Sequence, residues 1–404
     1  MYTTKISIFL PYYNDEKFIG QAVKACFDQT FTDWELILFN HASTDQSSII
    51  VQSIEDKRIK HIRSEENLGA GSGKNLADCL KYMSGKYVKL LCADDAMNPD
   101  CLEKLYAYME AHPEKDMCFS DMEYVDKDGR SLETQWSKEI PKVDFENDEL
   151  KTLKIMFHGQ SHLAYPSSFV KRSVLQNIKL NVTYIMIFDV FLWTRLLING
   201  HKLGFIPEPL IRYRCHSSQM SSVANFNIAV RRGYLEYSAF CEEYFRIKDV
   251  AVAKYLVDTD FASQLMENDV DLIPFVIAHH FLTAHLHPEH FPSGPEPFRL
   301  CGFRKINEML NDNVLAAKIK KRFNYGIREF REFYSTPEDH IKKIGSPPKN
   351  LLSFYKGILS NTKNKRAGDL SLLELGYIIF RKICRVVTFK EFRKKYKKKK
   401  GYTV

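Results

Sequence analysis

The sequence predicts an α/β fold: a mostly parallel sheet flanked by helices, followed by an all-helical C-terminal module. Three observations predict it. Short apolar runs alternate with stretches of helical spacing over the first part of the chain. Four successive runs end in clusters of Gly, Asn, Asp or Tyr, as strand-to-helix turns do. Beyond about residue 222 the alternation stops and only helical spacing remains.

The elements follow in order. Residues 6–10 form an apolar strand that Pro11 ends, and residues 18–27 have helical spacing. A second strand is predicted at 34–39 and a helix at 45–54, with Ser43 or Thr44 near its start as cap. A third strand at 59–62 leads to a helix at 70–83, and a fourth at 86–91 to a helix at 102–111. Residues 117–120 are strand-like. A less regular region, about 124–161, holds a turn at Asp126-Lys127-Asp128-Gly129 and an acidic patch from Asp144 to Glu149. Then come the segments 169–175 and 202–206 around an apolar helix at 188–198. Helices at 228–256, 261–287 and 314–333 suggest a module at 226–345, and Gly345-Ser346-Pro347-Pro348 marks a linker. The expected division is therefore 1–225, 226–345 and a linker with tail at 346–404.

The hydrophobic share of 45% is that of an ordinary globular protein. Nine cysteines without a CxxC pair fit reduced thiols in a cytoplasm better than disulfides or a zinc site. Met1 to Lys5 run straight into a strand and do not resemble a signal peptide, and no apolar run is long enough to span a bilayer. The net charge of +8 resides in the end of the chain. Residues 381–400 hold eleven lysines and arginines against Glu391 alone, behind an apolar stripe that includes Ile378, Ile383, Val387 and Phe389. That combination suits an anionic membrane surface, and no nucleic-acid motif accompanies it.

The chemistry gathers at the strand ends. Two adjacent carboxylates, Asp94 and Asp95, end the fourth strand, where burial is costly unless a cation or a proton neutralises them. The other turns carry Pro11-Tyr12-Tyr13-Asn14, Asn40-His41 and Asn67-Leu68-Gly69 with Lys74-Asn75. In an open α/β sheet these turns share one ligand-binding edge. Tyr13 can stack on a base. The glycine-rich turn with Lys74 can approach a diphosphate closely, although the P-loop spacing is absent.

These residues resemble the family 2 glycosyltransferases of the GT-A fold. The resemblance rests on Pro11 to Asn14, Gln29-Thr30-Phe31-Thr32-Asp33-Trp34-Glu35-Leu36-Ile37, Asn67 to Gly69 with Lys74-Asn75, and Asp94-Asp95. It continues in Phe188-Asp189-Val190-Phe191-Leu192-Trp193-Thr194-Arg195-Leu196, Pro207-Glu208-Pro209-Leu210 and Tyr213-Arg214-Cys215-His216, and covers about residues 5–222. It implies a nucleotide-binding GT-A sheet and a metal-dependent, inverting transfer of sugar from a nucleoside diphosphate, uridine diphosphate first, to a hydroxyl of a surface-glycan or lipid-linked saccharide. Asp189 is the implied base. Asp95 and His216 are the implied ligands of a divalent cation, and their mixed oxygen and nitrogen donors favour Mn²⁺ over Mg²⁺. Pro11, Tyr13, Asn14, Asn40, His41, Asn67, Gly69, Lys74, Asn75, Asp94 and Arg214 are the implied donor contacts. The cysteine usage and the basic tail together point to a cytoplasmic location, peripheral to the inner face of the membrane.

Four positions depart from the pattern. Asn40-His41 stand where the family usually has an acidic pair, Cys92 replaces an aspartate, and Phe188 replaces the acidic residue that often precedes the base. A neutral imidazole nitrogen or an amide carbonyl can still accept a hydrogen bond from uracil, and either can suit cytosine or guanine. The other readings are a sugar-phosphate nucleotidyltransferase and a non-catalytic nucleotide-sugar-binding protein with the same fold. Asp189 and His216 are superfluous to the first, and intact Asp95 and Asp189 argue against the second.

Overall fold

The structure, a computed structural model, describes residues 4–67, 73–135, 148–159, 161, 163–180, 183–219, 226–283 and 296–335. Among the described residues there are nine strands: β1 (Thr4–Tyr12), β2 (Trp34–Asn40), β3 (Ile59–Arg63), β4 (Gly85–Leu90), β5 (Ala96–Met97), β6 (Met117–Val125), β7 (Ser131–Gln135), β8 (Ser168–Lys171) and β9 (Leu203–Arg214). They join in the order β3-β2-β1-β4-β8-β6-β9-β5, with β7 on β6. The block β3-β2-β1-β4 is parallel, and Phe9 pairs with Ile37 on one side and Leu90 on the other. Beyond it the sheet is mixed, because β8 runs antiparallel to both β4 and β6.

Period-two alternation divides the apolar residues between the two faces of the sheet. Phe9, Ile37, Phe39, Val88 and Leu90 belong to one core, and Ile6, Ile8, Leu10, Leu36 and Leu38 to the other. Both faces are covered, which is why β1, β2 and β4 place apolar residues on both sides. Helices Ile19–Phe27 and Cys101–Ala111 cover the second face. Helices Gly73–Cys79 and Phe188–Ile198 cover the first. The same core continues from Trp193 into Phe240, Tyr244 and Phe281 of the helical region. There the helix Glu296–Asn311 lies close along Ile273–Thr283, and a side chain at Gly302 would strike the Ala278 carbonyl.

Several elements differ from expectation for physical reasons. β9 runs on to Arg214 through Pro207 and Pro209, and its register with β6 shifts beside Asp121, which accommodates the missing N–H groups. β5 and β7 are too short or too polar to show in the sequence pattern. In the stretch expected to be irregular, Asp148 accepts from Lys151 N–H and starts the helix Glu149–Phe157. The helix expected at 228–256 is broken: Phe226–Phe240 leads to a 3₁₀ segment, Cys241–Arg246, and Asp249 caps a new helix, Val250–Val257. The stretch 261–287 contains Asp260–Ser263 and Ile273–Thr283, and Glu296–Asn311 was not foreseen. Among the described residues no helix is long and apolar enough to cross a membrane. Gly69, the linker, the last helix and the basic tail lie outside the described residues.

Candidate active site

A cleft of about 800 Å³ opens at the carboxyl ends of β1 and β4. These neighbours lie where the winding of the sheet reverses, the crevice in which open α/β sheets hold ligands. Its walls include Tyr13, Asn14 and Asp15 after β1, Cys92 to Asp95 after β4, His216 after β9, and 185–190 at the start of the helix Phe188–Ile198. Residues from four predicted segments thus meet in one place.

Asp95 is buried, with 1% of its surface exposed. Its Oδ1 accepts from Arg214 N–H at 2.9 Å, while its Oδ2 is buried without a hydrogen-bond partner. Burial, and then the charge of Asp94, push its carboxyl well above the usual range, and the Cys92 thiol offsets little of this. Ligand atoms of Cys92, Asp94 and Asp95 lie within 4.8 Å of one another. An orphaned carboxylate oxygen beside a second carboxylate fits a hard divalent cation. His216 Nε2–H donates to Asp94 Oδ2 at 3.0 Å, and its Nδ1 accepts from Ser218 Oγ at 2.8 Å. Phe18 packs on the His216 ring at 4.5 Å.

Asp189 is in the first turn of its helix rather than at the cap, which Ile187 occupies. Its Oδ1 accepts from Val190 N–H at 2.8 Å, and burial pushes its carboxyl up to about 6. The segment before it is held from outside the sheet domain. Glu236, on the helix Phe226–Phe240, accepts from the N–H groups of Ile185, Met186 and Ile187 at 3.0, 2.8 and 3.0 Å. One carboxylate therefore occupies the N-terminal end of the helix that carries Asp189, where free N–H groups and the helix dipole favour negative charge.

The turns after β1 and β2 support each other. Asn14 and Ala42 have φ of +54° and +61°. Asn14 Oδ1 accepts from Thr44 N–H, and Asn14 N–H donates to Ser43 Oγ. Asn40 accepts from Ser43 N–H at 2.8 Å. His41 is clamped by Asn67 at Nδ1 (2.8 Å) and Asn75 at Nε2 (2.7 Å). A neutral imidazole has one donor and one acceptor nitrogen, so one amide must turn its NH₂ toward the ring. The buried Nδ2 of Asn75, without a partner as placed, marks Asn75 as that amide.

The structure brings Pro11, Tyr13, Asn14, His41, Asn75, Asp94, Asp95, Asp189 and His216 to the cleft walls. Asn40 and Asn67 lie behind, in the loop-bracing bonds given above. Two expected donor contacts are placed otherwise. Lys74 pairs along its own helix with Asp78 at 2.7 Å. The Arg214 guanidinium turns away from the cleft to Asp94 O (2.8 Å), Lys127 O (3.1 Å) and Gln21 Oε1 (2.9 Å), so it braces the Asp94-Asp95 turn.

Three residues of interest were not foreseen. Asp15 lines the cleft, and burial, reinforced by Asp94 and Asp45, pushes its carboxyl up to about 6. It directly follows Asn14, and its neighbours gave the only hint. Lys89 is wholly buried beneath the turn, donating to the carbonyls of Leu90, Pro166 and Ser168, and burial lowers its pKa. It thereby ties β4 to the Pro166 wall of the cleft. Glu236 is the third, and its partners are too distant in sequence to be read there.

Comparison with known proteins identifies the family and the fold. The family model "Glycosyl transferase family 2" matches residues 7–178. An uncharacterized glycosyltransferase of Methanocaldococcus jannaschii is 30% identical over 213 residues, 52% of this chain and 70% of the relative. The putative teichuronic acid biosynthesis glycosyltransferase TuaG of Bacillus subtilis is 37% identical over 106 residues, 26% of this chain and 41% of that protein. Among solved structures, TarS 1-349 of S. aureus in complex with UDP-GlcNAc superposes with a TM-score of 0.50 at 18% identity, covering 84% of this chain and 92% of that one.

Proposed function

The chain belongs to glycosyl transferase family 2, has the GT-A fold and is a glycosyltransferase, and we propose that it moves a sugar, with inversion, from a nucleoside diphosphate to a saccharide or lipid-linked saccharide hydroxyl. The observation that carries this reading is the meeting of Asp94-Asp95 and Asp189 in one cleft. Asp95 through its orphaned Oδ2 and Asp94 would hold a divalent cation, with Cys92 adjoining and His216 joining them once its Nε2 gives up the proton now donated to Asp94. When bound, that cation neutralises the two charges gathering on the leaving diphosphate. A mixed donor set favours Mn²⁺ over Mg²⁺.

Asp189 takes the acceptor proton. A carboxylate is a weak base for an alcohol, so the proton moves late, as the oxygen attacks the anomeric carbon opposite the departing phosphate. A single displacement inverts that carbon. Partial burial of Asp189 raises its basicity and so matches it better to this task. Tyr13 lies on the cleft wall where a base can stack. Uridine is our first choice of nucleoside, and the UDP-GlcNAc complex of TarS favours it. The basic tail would hold the enzyme at an anionic, cytoplasmic membrane face, where a lipid-linked acceptor lies.

The test is release of nucleoside diphosphate by the full chain from UDP-, GDP- and CDP-sugars, with Mn²⁺, Mg²⁺ or chelator. Release from a UDP-sugar, fastest with Mn²⁺ and lost in chelator, is expected. Equal rates in chelator would remove the cation from the reading, and preference for another base would replace uridine.

A further inference from the structure

The cleft is lined by four carboxylates, Asp15, Asp94, Asp95 and Asp189, and among its described lining residues by one lysine or arginine, Arg232. Arg232 is exposed, on the helix Phe226–Phe240, and no ion pair or hydrogen bond ties it to another described residue. The nearest acid along its own helix face, Glu236, already receives three backbone N–H groups. Among the described residues, then, nothing competes with a cleft ligand for the guanidinium.

Its side of the cleft can be located. Glu236 touches 185–187, the segment leading into Asp189. Arg232 precedes Glu236 by four residues, one helical turn, and so lies on the same helix face about 6 Å away. It therefore stands near the base, across from the Asp94, Asp95 and His216 corner assigned to the donor's diphosphate. Residues beside the base meet the acceptor.

We propose that Arg232 binds an anionic group, a phosphate or a carboxylate, on the acceptor saccharide, so that this transferase uses charged acceptors. A guanidinium offers paired N–H donors that match either anion. It also counters the repulsion that four carboxylates would exert on an anion entering the cleft. This rests on the transferase reading and adds the acceptor's chemical class.

The test measures binding, which needs no turnover. The full chain is saturated with UDP and Mn²⁺ and titrated by calorimetry with a methyl hexoside, its 6-phosphate and the corresponding hexuronate. Wild type should bind at least one charged probe about tenfold or more tighter than the neutral one, the strength of a charge-assisted contact. Arg232→Gln should erase that difference, Arg232→Lys should restore part of it, and the affinity for UDP should stay within about twofold. Three results would overturn the proposal: no preference for either charged probe in wild type, a preference that survives in Arg232→Gln, or a loss of UDP affinity in that variant. The last would assign the guanidinium to the donor. Donor hydrolysis measured alongside reports on the transferase reading separately, since its absence with charged-probe binding intact counts against that reading alone.

Discussion

Asp189→Asn separates what this carboxylate does in transfer from what it costs the fold. Burial pushes the group from 3.8 up to about 6, and the Val190 N–H bond offsets only part of that. A shift of about two units corresponds to roughly 3 kcal/mol. The carboxylate opens in part onto the cleft, so solvent screening reduces the figure to roughly 1–3 kcal/mol. The sign follows from linkage. The folded pKa lies above the unfolded one, so the folded protein holds the proton more tightly; that stability is fully present below about pH 4 and lost as the pH rises through 6. Asparagine has the shape of the protonated acid and can still accept from Val190 N–H. The variant should therefore equal wild type near pH 4 and exceed it by roughly 1–3 kcal/mol at pH 8. Urea unfolding across this range, without metal or donor, reads the gap. Over the same range wild-type transfer should fall about tenfold per pH unit below 6, while the variant stays about a hundredfold or more below wild type at neutral pH. Donor affinity should change by only a few-fold. A variant no more stable than wild type at pH 8 would refute the desolvated carboxylate, and equal loss of donor binding would refute the base.

The remaining predictions concern the cation, the brace behind the base and the tail. Asp95→Ala should abolish cation-dependent binding of nucleoside diphosphate in a thermal-shift titration and nearly all transfer, and retained binding would exclude Asp95 as a ligand. Glu236→Ala leaves three N–H groups without their acceptor; kcat should fall about tenfold with donor KM little changed, and Glu236→Gln, which can still accept, should recover part of it. Unchanged kcat in both would show that the segment 185–187 holds its shape unaided. A chain truncated after Gly368 should fold, transfer sugar to a soluble acceptor and no longer sediment with anionic vesicles at low salt. If the full chain ignores such vesicles, the tail is no anchor; if the truncated one unfolds, the apolar stripe around Ile378 is core.

What the sequence could and could not reveal follows from how far apart the interacting residues lie. Asp94-Asp95 announce themselves because two carboxylates beside a buried strand are unusual within a single window of residues, and β1, β2 and β4 of the parallel block were legible because each carries its own apolar run. Arg214 misled for the converse reason. A basic residue at a strand end beside the acids has the look of a phosphate contact, yet its partners include Gln21 and Lys127, 193 and 87 residues away. No local pattern reports that its donors are already engaged. Glu236 is the same case seen from the other side, since an acid on an amphipathic helix looks solvated until the helix is seen packed beside 185–187, about fifty residues earlier.

These long-range partners also change what the replaced positions mean. Asn40-His41 suggested from sequence a weakened base-binding pair. In the folded chain His41 instead joins the segment after β3 to the helix Gly73–Cys79 through Asn67 and Asn75, while Asn40 braces its own turn through Ser43. A carboxylate at position 41 could accept from the Asn75 NH₂ but would offer the Asn67 oxygen no donor, whereas the imidazole serves both. The change from acid to imidazole therefore requires both asparagines as partners, so the three residues act as one unit. Altering His41 alone should disturb the donor pocket through its loops, whichever base it receives.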